Sequence, residues 1–441
     1  FVLERTVSPE EIDDLWSLVE STGNEEPVFA WNDPESGLSF VAQGRVEGIE
    51  IFGLHRFAQA RNWCSRVREQ LRGGAADLPF VLGGFAFTTK SGPRDLYWEN
   101  WPDAQLWLPE RIAFRRTLGG EIQTGIIQHR LVELEAPERG DEGIPEKQWK
   151  ENCGTTASLK VGSEVLDCGP ELFESLVEKA LSTIEEGELE KVVVARSDRL
   201  ELAPGCDLDL MGTLRGVCEK PVNSIAFALV QPGGGCFVGS TPEVLLRVED
   251  GYLSTHALAG TIGRGCGSEE DALLARTLLE SSKDRHEHDL VVRGINNTLG
   301  PLCTELSAET APSVVALDTV QHLRTRLRGR LNSSADILDA VEGLHPTPAL
   351  CGSPSEKAQG WIDRYEALDR GWYAGPIGWI APDGSGTFAV AIRSALLRGK
   401  EAVAYAGAGI VKGSDPASEW EETEMKIATV ERHIVSREAG A

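Results

Sequence analysis

Long hydrophobic runs are missing from this chain. No stretch approaches the roughly eighteen apolar residues that a membrane-spanning helix needs. The opening FVLERTVSPEEIDDLW has neither the basic start nor the apolar centre of a secretory signal. Basic charge is scarce: 43 Lys and Arg stand against 69 Asp and Glu, for a net charge of −26. Such a field repels nucleic acid and anionic membranes, so neither is expected as a partner. It also repels an anionic substrate, and a site for one needs local positive charge or a metal. The nine cysteines include no C-x-x-C pair. Their odd number points to free thiols in a reducing compartment. The cytosol is expected, or an organellar stroma if a transit peptide precedes Phe1. No internal repeat or low-complexity tract is present.

What is there suits a large globular protein. The chain has 441 residues, of which 41% are apolar, enough for an extensive core. Length alone suggests two or three domains, although large sheet-based enzymes also fold as one unit. The polar segment Glu133 to Thr155 reads as a loop, dividing the chain into parts 1–150 and 156–441. Upstream lie short strand-like pieces, GLSFVAQG, FVLGGFAF and RIAFRR. Downstream, Leu172–Ile184 has helical apolar spacing and leads into the β-branched strand KVVVARS. SIAFALVQ and CFVGS follow as strands, then a long helix from Leu273 to Leu299. TFAVAIRSALL and EAVAYAGAG are further strands. A last helix starts at the N-cap Asp415, with Pro416 and Glu419 in its first turn. Hairpin-like strand succession favours antiparallel sheets with flanking helices, an α+β fold.

Two helical segments carry chemistry. In LESSKDRHEHDL, Glu280, Asp284 and Glu287 share a face; in EWEETEMK, Glu419, Glu422 and Lys426 do. Two carboxylate-bearing helices can clamp a hard cation, and oxygen ligands suit Mg²⁺. Taken alone, such a face is usually solvated surface. His286 and His288 lie two apart, so they point in different directions on a helix, and zinc is rejected. AGAGIV, Ala406–Val411, reads as a small-residue turn whose N–H groups can meet an anion. Arg393 on the preceding strand can hold a carboxylate in a bidentate fork.

From about Glu171 onward the chain resembles the chorismate-utilising enzymes: isochorismate and salicylate synthases, and the large subunits of anthranilate and aminodeoxychorismate synthases. The motifs are KVVVARS, GSTPEVLLR, HALAGTIGRG, SSKDRHEHDL, VQHL, LHPTPALCGSP, DRGWYAGPIGW, VAIRSA and AGAGIVKGSDPASEWEETEMK. The first 150 residues resemble that family's variable N-terminal part only loosely. The resemblance implies one large domain of two packed, mainly antiparallel sheets with the active site in a cleft. It implies Glu287 and Glu422 as Mg²⁺ ligands, supported by Glu419 and Asp284. It puts Arg393 and the backbone of Gly407, Ala408, Gly409 and Ile410 on substrate carboxylates. Ala259, Gly260, Thr261, His322, Leu350 and Lys426 complete the binding set.

Within the family the pattern resembles the water-adding members. Lys191 stands where ammonia-adding members carry Gln, and Ala259 where aminodeoxychorismate synthases carry a nucleophilic Lys. SKDRHEHDL and PTPALCG resemble isochorismate synthases more than salicylate synthases, which remain the alternative. The implied reaction isomerises chorismate: water adds at C2 and the C4 hydroxyl leaves. Lys191 is the expected base and Glu243 the expected acid; Glu243 must be buried enough to keep its proton. The product feeds menaquinone, siderophore or salicylate synthesis, and the expected active form is a monomer.

Overall fold

The computed structural model describes residues 2–16, 26–89, 94–132, 162–165, 169–202, 206–219, 221, 223–317 and 320–438. The polar segment 133–155, and with it the boundary between 1–150 and 156–441, lies outside them. Among the described residues the strands form a thirteen-stranded sheet, a ten-stranded sheet and one two-stranded ribbon. All their pairings are antiparallel except that of Val2–Pro9 with Leu71–Arg72. The α+β architecture is the one expected.

Side-chain alternation explains the layering. Successive strand residues point to opposite faces, and Val28–Asp33 uses that rule plainly. Phe29 and Trp31 enter the main core between the sheets, with Phe40, Trp107, Phe227 and Phe237. Ala30 points the other way, into a second cluster with Ala226, Ala228, Leu214, Val217, Ile427 and Val430. Small residues on that outer face let the helices Leu210–Glu219 and Pro416–Glu431 lie close to the sheet. Trp98, Trp101, Trp372 and Phe237 pack edge to face within the main core, at centroid distances of 5.3–5.4 Å. No helix among the described residues is long and apolar enough to cross a membrane.

Three expected elements are drawn differently. The helix over Leu273–Leu299 is two helices, Ser268–Glu280 and Ser282–Leu299. Ser281 breaks them: its backbone is extended (φ −63°, ψ 116°) and its side chain caps the second helix by accepting from the Asp284 N–H at 3.2 Å. Glu280 therefore does not share a face with Asp284 and Glu287. The strand over 387–397 is also two, Gly386–Val390 and Ser394–Arg398, and they belong to different sheets. The chain crosses between sheets at Ala391–Arg393, with Arg393 at φ 50°. Third, AGAGIV is no turn. It lies inside the strand Glu401–Val411, paired along Lys191–Glu201 from Lys191↔Val411 to Leu200↔Ala402.

Candidate active site

The crossover, the ends of both sheets and two helices surround one pocket. Thirteen of the expected site residues line it: Lys191, Glu243, Ala259, Gly260, Thr261, Glu287, His322, Leu350, Arg393, Gly407, Gly409, Glu422 and Lys426. Ala408 and Ile410 do not. They alternate with the two glycines along the strand, so their side chains enter the core, fully buried. Glu419 and Asp284 stand behind the lining. Asp284 accepts hydrogen bonds from Ser281 Oγ and from the Thr261 N–H, anchoring its helix to the strand Tyr252–Gly263.

Lys191 opens the strand Lys191–Glu201 and is 1% exposed. Its Nζ donates to Glu287 Oε1 at 2.8 Å. Gly409 makes room for this pair: a Cβ there would sit 2.5 Å from that oxygen and 2.9 Å from Lys191 Cε. Here the glycine serves close approach rather than a turn.

Glu243 follows Pro242 at the head of the strand Val244–Glu249 and is also buried. Burial pushes its carboxyl up to about 7, although Lys191, Lys426 and Arg393 all favour the charged form. A carboxylic acid at that value holds a proton it can deliver near neutral pH.

A bulge interrupts the pairing of Tyr252–Gly263 with Val320–Leu331 between Ala259 and Thr261. Gly260, at φ 79°, carries it. The Gly260 carbonyl lies 3.2 Å from His322 Nδ1, and Thr261 Oγ1 lies 3.1 Å from it. On the other ring nitrogen, Arg393 Nη2 stands 3.3 Å away. Burial first, then the charges of Arg393 and Lys426, hold His322 down to about 3. It is therefore neutral. With Nδ1–H donated to the Gly260 carbonyl, Nε2 accepts from Arg393 and fixes the guanidinium. Burial also lowers Arg393.

The helix Pro416–Glu431 starts as expected: Asp415 accepts from the Ser418 N–H at 2.9 Å, and Pro416 takes the first position. Further along it, Lys426 Nζ donates to Glu422 Oε1 at 2.6 Å and to the Gly407 carbonyl at 2.7 Å. Glu419 accepts from Lys283 at 2.9 Å. On the back of this helix Arg196 donates to Thr423 Oγ1 at 2.8 Å and lies over the Trp420 ring at 3.9 Å. These contacts set which residues turn toward the pocket.

The donor set suits a hard divalent cation, being entirely carboxylate oxygen. Burial and then the neighbouring Glu422 charge push Glu419 up, an excess of negative charge that a cation relieves. Each of the three glutamates is bonded to a lysine, and among the described residues no three acidic, His or Cys side chains converge tightly enough to enclose an ion. His288 takes no part: it is buried with Nε2 2.7 Å from Thr325 Oγ1, while His286 is exposed.

Sequence reasoning did not single out Tyr373 and Tyr405. Both line the pocket, and their rings stack at 5.3 Å. Tyr373 stood inside the quoted WYAG, but an aromatic in a strand-rich chain carries no local mark separating a pocket wall from core.

The arrangement offers a buried amine, a proton-holding carboxyl, two cations for carboxylates and a cluster of anionic oxygens. A family model described as chorismate binding enzyme matches residues 2–435, so the likeness includes the N-terminal third. The salicylate biosynthesis isochorismate synthase of Pseudomonas aeruginosa is 35% identical over 418 residues, covering 92% of this chain and 84% of that protein. The isochorismate synthase MenF of Bacillus subtilis is 34% identical over 421 residues, covering 92% and 87%. Among solved structures, MenF, the menaquinone-specific isochorismate synthase from Escherichia coli, superposes with a TM-score of 0.77 at 27% identity, covering 98% of this chain and 94% of that one. This chain belongs to the chorismate binding enzyme family.

Proposed function

We propose that this chain isomerises chorismate to isochorismate, with Lys191 as base and Glu243 as acid. The observation that carries the reading is the joint presence, in one pocket, of buried Lys191 and of a Glu243 carboxyl held up to about 7. The relatives named above support the choice of reaction. Arg393, steadied by neutral His322, and Lys426 offset the substrate's two carboxylates. Lys191, as the neutral amine, accepts at Nζ a proton from the water whose oxygen bonds to C2. The ring double bonds shift, and the C4–O bond breaks as Glu243 protonates the departing hydroxyl. One water enters and one leaves, and the protons return through solvent.

Glu287 and Glu422, supported by Glu419, would hold Mg²⁺, which supplies charge neutralisation at the ring carboxylate. Asp284 contributes from behind by fixing the helix that carries Glu287. The active form is expected to be a monomer. A reducing compartment, cytosol or stroma, suits the seven described cysteines, all free thiols. The isochorismate formed would supply menaquinone, siderophore or salicylate synthesis.

The deciding experiment incubates the protein with chorismate, with and without Mg²⁺ and ammonium, and separates the products by chromatography. Isochorismate formed with Mg²⁺, insensitive to ammonium and lost in Lys191→Ala, is the expected result. Salicylate with pyruvate as the enzymatic end product assigns the lyase reaction instead. Unchanged chorismate with folded protein refutes catalysis and leaves a binding protein.

A further inference from the structure

Of the three lysines bonded to the glutamates, Lys191 and Lys426 line the pocket and Lys283 does not. A bound dianion can therefore compete for the first two, but Lys283 stays with its carboxylate. It is the second residue of the helix Ser282–Leu299, directly before Asp284. That end of the helix is closely fixed. Ser281 caps it, Asp284 accepts from the Thr261 N–H, and a Cβ on Gly260 would sit 3.0 Å from Asp284 Cβ. From there Lys283 Nζ reaches Glu419 Oε1, on the helix Pro416–Glu431, at 2.9 Å. The pair ties together the two helices that carry Glu287 and Glu422.

This is no ordinary surface pair. The Glu419 side chain is only 4% exposed, against 38% for Lys283, so solvent screens the acid poorly. Ser414 gives Glu419 a further hydrogen bond. Lys283 also acts beyond its partner. Burial works against its charge, yet Glu419, Glu287 and Asp284 raise it. Glu422 is lowered despite burial, chiefly by Lys426, with Lys283 among its further causes. One ammonium thus lies in the field of all four acids expected at the cation site. In the metal-free protein it supplies part of the positive charge that a bound cation would bring.

We infer that Lys283 is a resident counter-ion of the cation site, which holds the two acidic helices together without metal and keeps the affinity for a free divalent cation low. The inference rests on the Mg²⁺ reading proposed above. A cation entering among these carboxylates meets a positive charge that is tethered to Glu419 and that substrate does not draw away. Coulomb repulsion opposes it. Removing that charge should therefore tighten cation binding. A lysine that only braced the helices predicts the opposite sign: its loss would loosen the carboxylates and weaken binding.

The test titrates the full chain, stripped of metal and without substrate, with Mn²⁺, whose free form is read by electron paramagnetic resonance. Mn²⁺ takes the same carboxylate oxygens as Mg²⁺. K283Q is expected to bind the ion about tenfold more tightly than the parent, and K283E more tightly still. K283R, which keeps the charge, stays near the parent. E422Q identifies the site by losing the binding. Metal-free K283E sets like charges against Glu419, so it should melt below the parent and recover with Mn²⁺. Misfolding cannot imitate a gain in affinity. Equal or weaker binding by K283Q and K283E, with E422Q still abolishing it, overturns the inference and leaves the cation site standing. Binding that E422Q does not reduce, or no binding by any of the proteins, overturns the inference and the Mg²⁺ reading together.

Discussion

At the scale of single residues, Glu243 links burial to acidity most directly. Its carboxyl sits at about 7 rather than 4.5 because burial disfavours the charged form. As general acid it must be protonated, so turnover should fall as pH rises through about 7. The same shift reaches stability. The folded state binds this proton more tightly than the unfolded state, so ionisation costs folding free energy as pH climbs from about 4.5 to about 7. Glu243→Gln mimics the protonated group. Its turnover is expected to drop by about 10²–10⁴, while its melting temperature matches the parent at pH 5 and exceeds it at pH 8. Melting curves at the two pH values, beside a pH–rate profile, check this; a constant difference in melting temperature refutes the buried-acid account.

Residue identity at the site was largely legible, but only through the motif set. S-T-P-E by itself reads as a turn, and Lys191 as a solvated strand end; burial is a property of the whole fold. Gly409 shows the limit from the other side. Its sequence neighbours suggested a turn, because a glycine kept for close approach and a glycine kept for positive φ look identical in one dimension.

At the scale of elements, periodicity located strands and helices well and breaks poorly. Leu172–Ile184 fell inside the observed Pro170–Glu185, and Asp415 caps its helix as expected. The two long segments that split did so at residues whose local signals are weak. Ser281 is a fair N-cap, masked by continuous helical spacing on both sides. Arg393 is less readable still, since no propensity favours an arginine at φ 50°. Its conformation turns the chain from one sheet to the other and delivers the guanidinium to His322. Backbone strain at such a position separates stability from function. Arg393→Gly and Arg393→Ala should both lose turnover of chorismate. Gly tolerates the left-handed region, so the Gly variant should be the more stable by about 1 kcal/mol. Denaturant unfolding of the two proteins decides it; equal stabilities, or a more stable Ala variant, mean that the backbone at 393 is not strained.

At the scale of the whole molecule, the division of the sequence into 1–150 and 156–441 does not separate two layers of structure. Val28–Asp33 pairs with Ile225–Gln231 in the thirteen-stranded sheet, and Val81–Phe85 pairs with Pro376–Ile380 in the ten-stranded one. Both sheets are thus completed by strands from each part, and the aromatic core draws Phe29, Trp31 and Trp107 from one and Phe237, Trp372 and Phe388 from the other. Such interleaving was invisible to sequence patterning, which reports local period and says nothing of which distant strand is the neighbour. It also means that the pocket, although lined by residues from 191 onward, depends on strands far upstream. A chain of 156–441 alone would expose strand edges and the apolar inner faces of both sheets. It should therefore fail to fold cooperatively or turn over chorismate, whereas co-expression with 1–155 as a separate chain should restore a soluble complex and measurable turnover. The uncut chain should melt in one calorimetric transition, with van't Hoff and calorimetric enthalpies equal. Two separate transitions, or an active 156–441 fragment, would show that the sheets are assembled as independent units and that the upstream strands are dispensable.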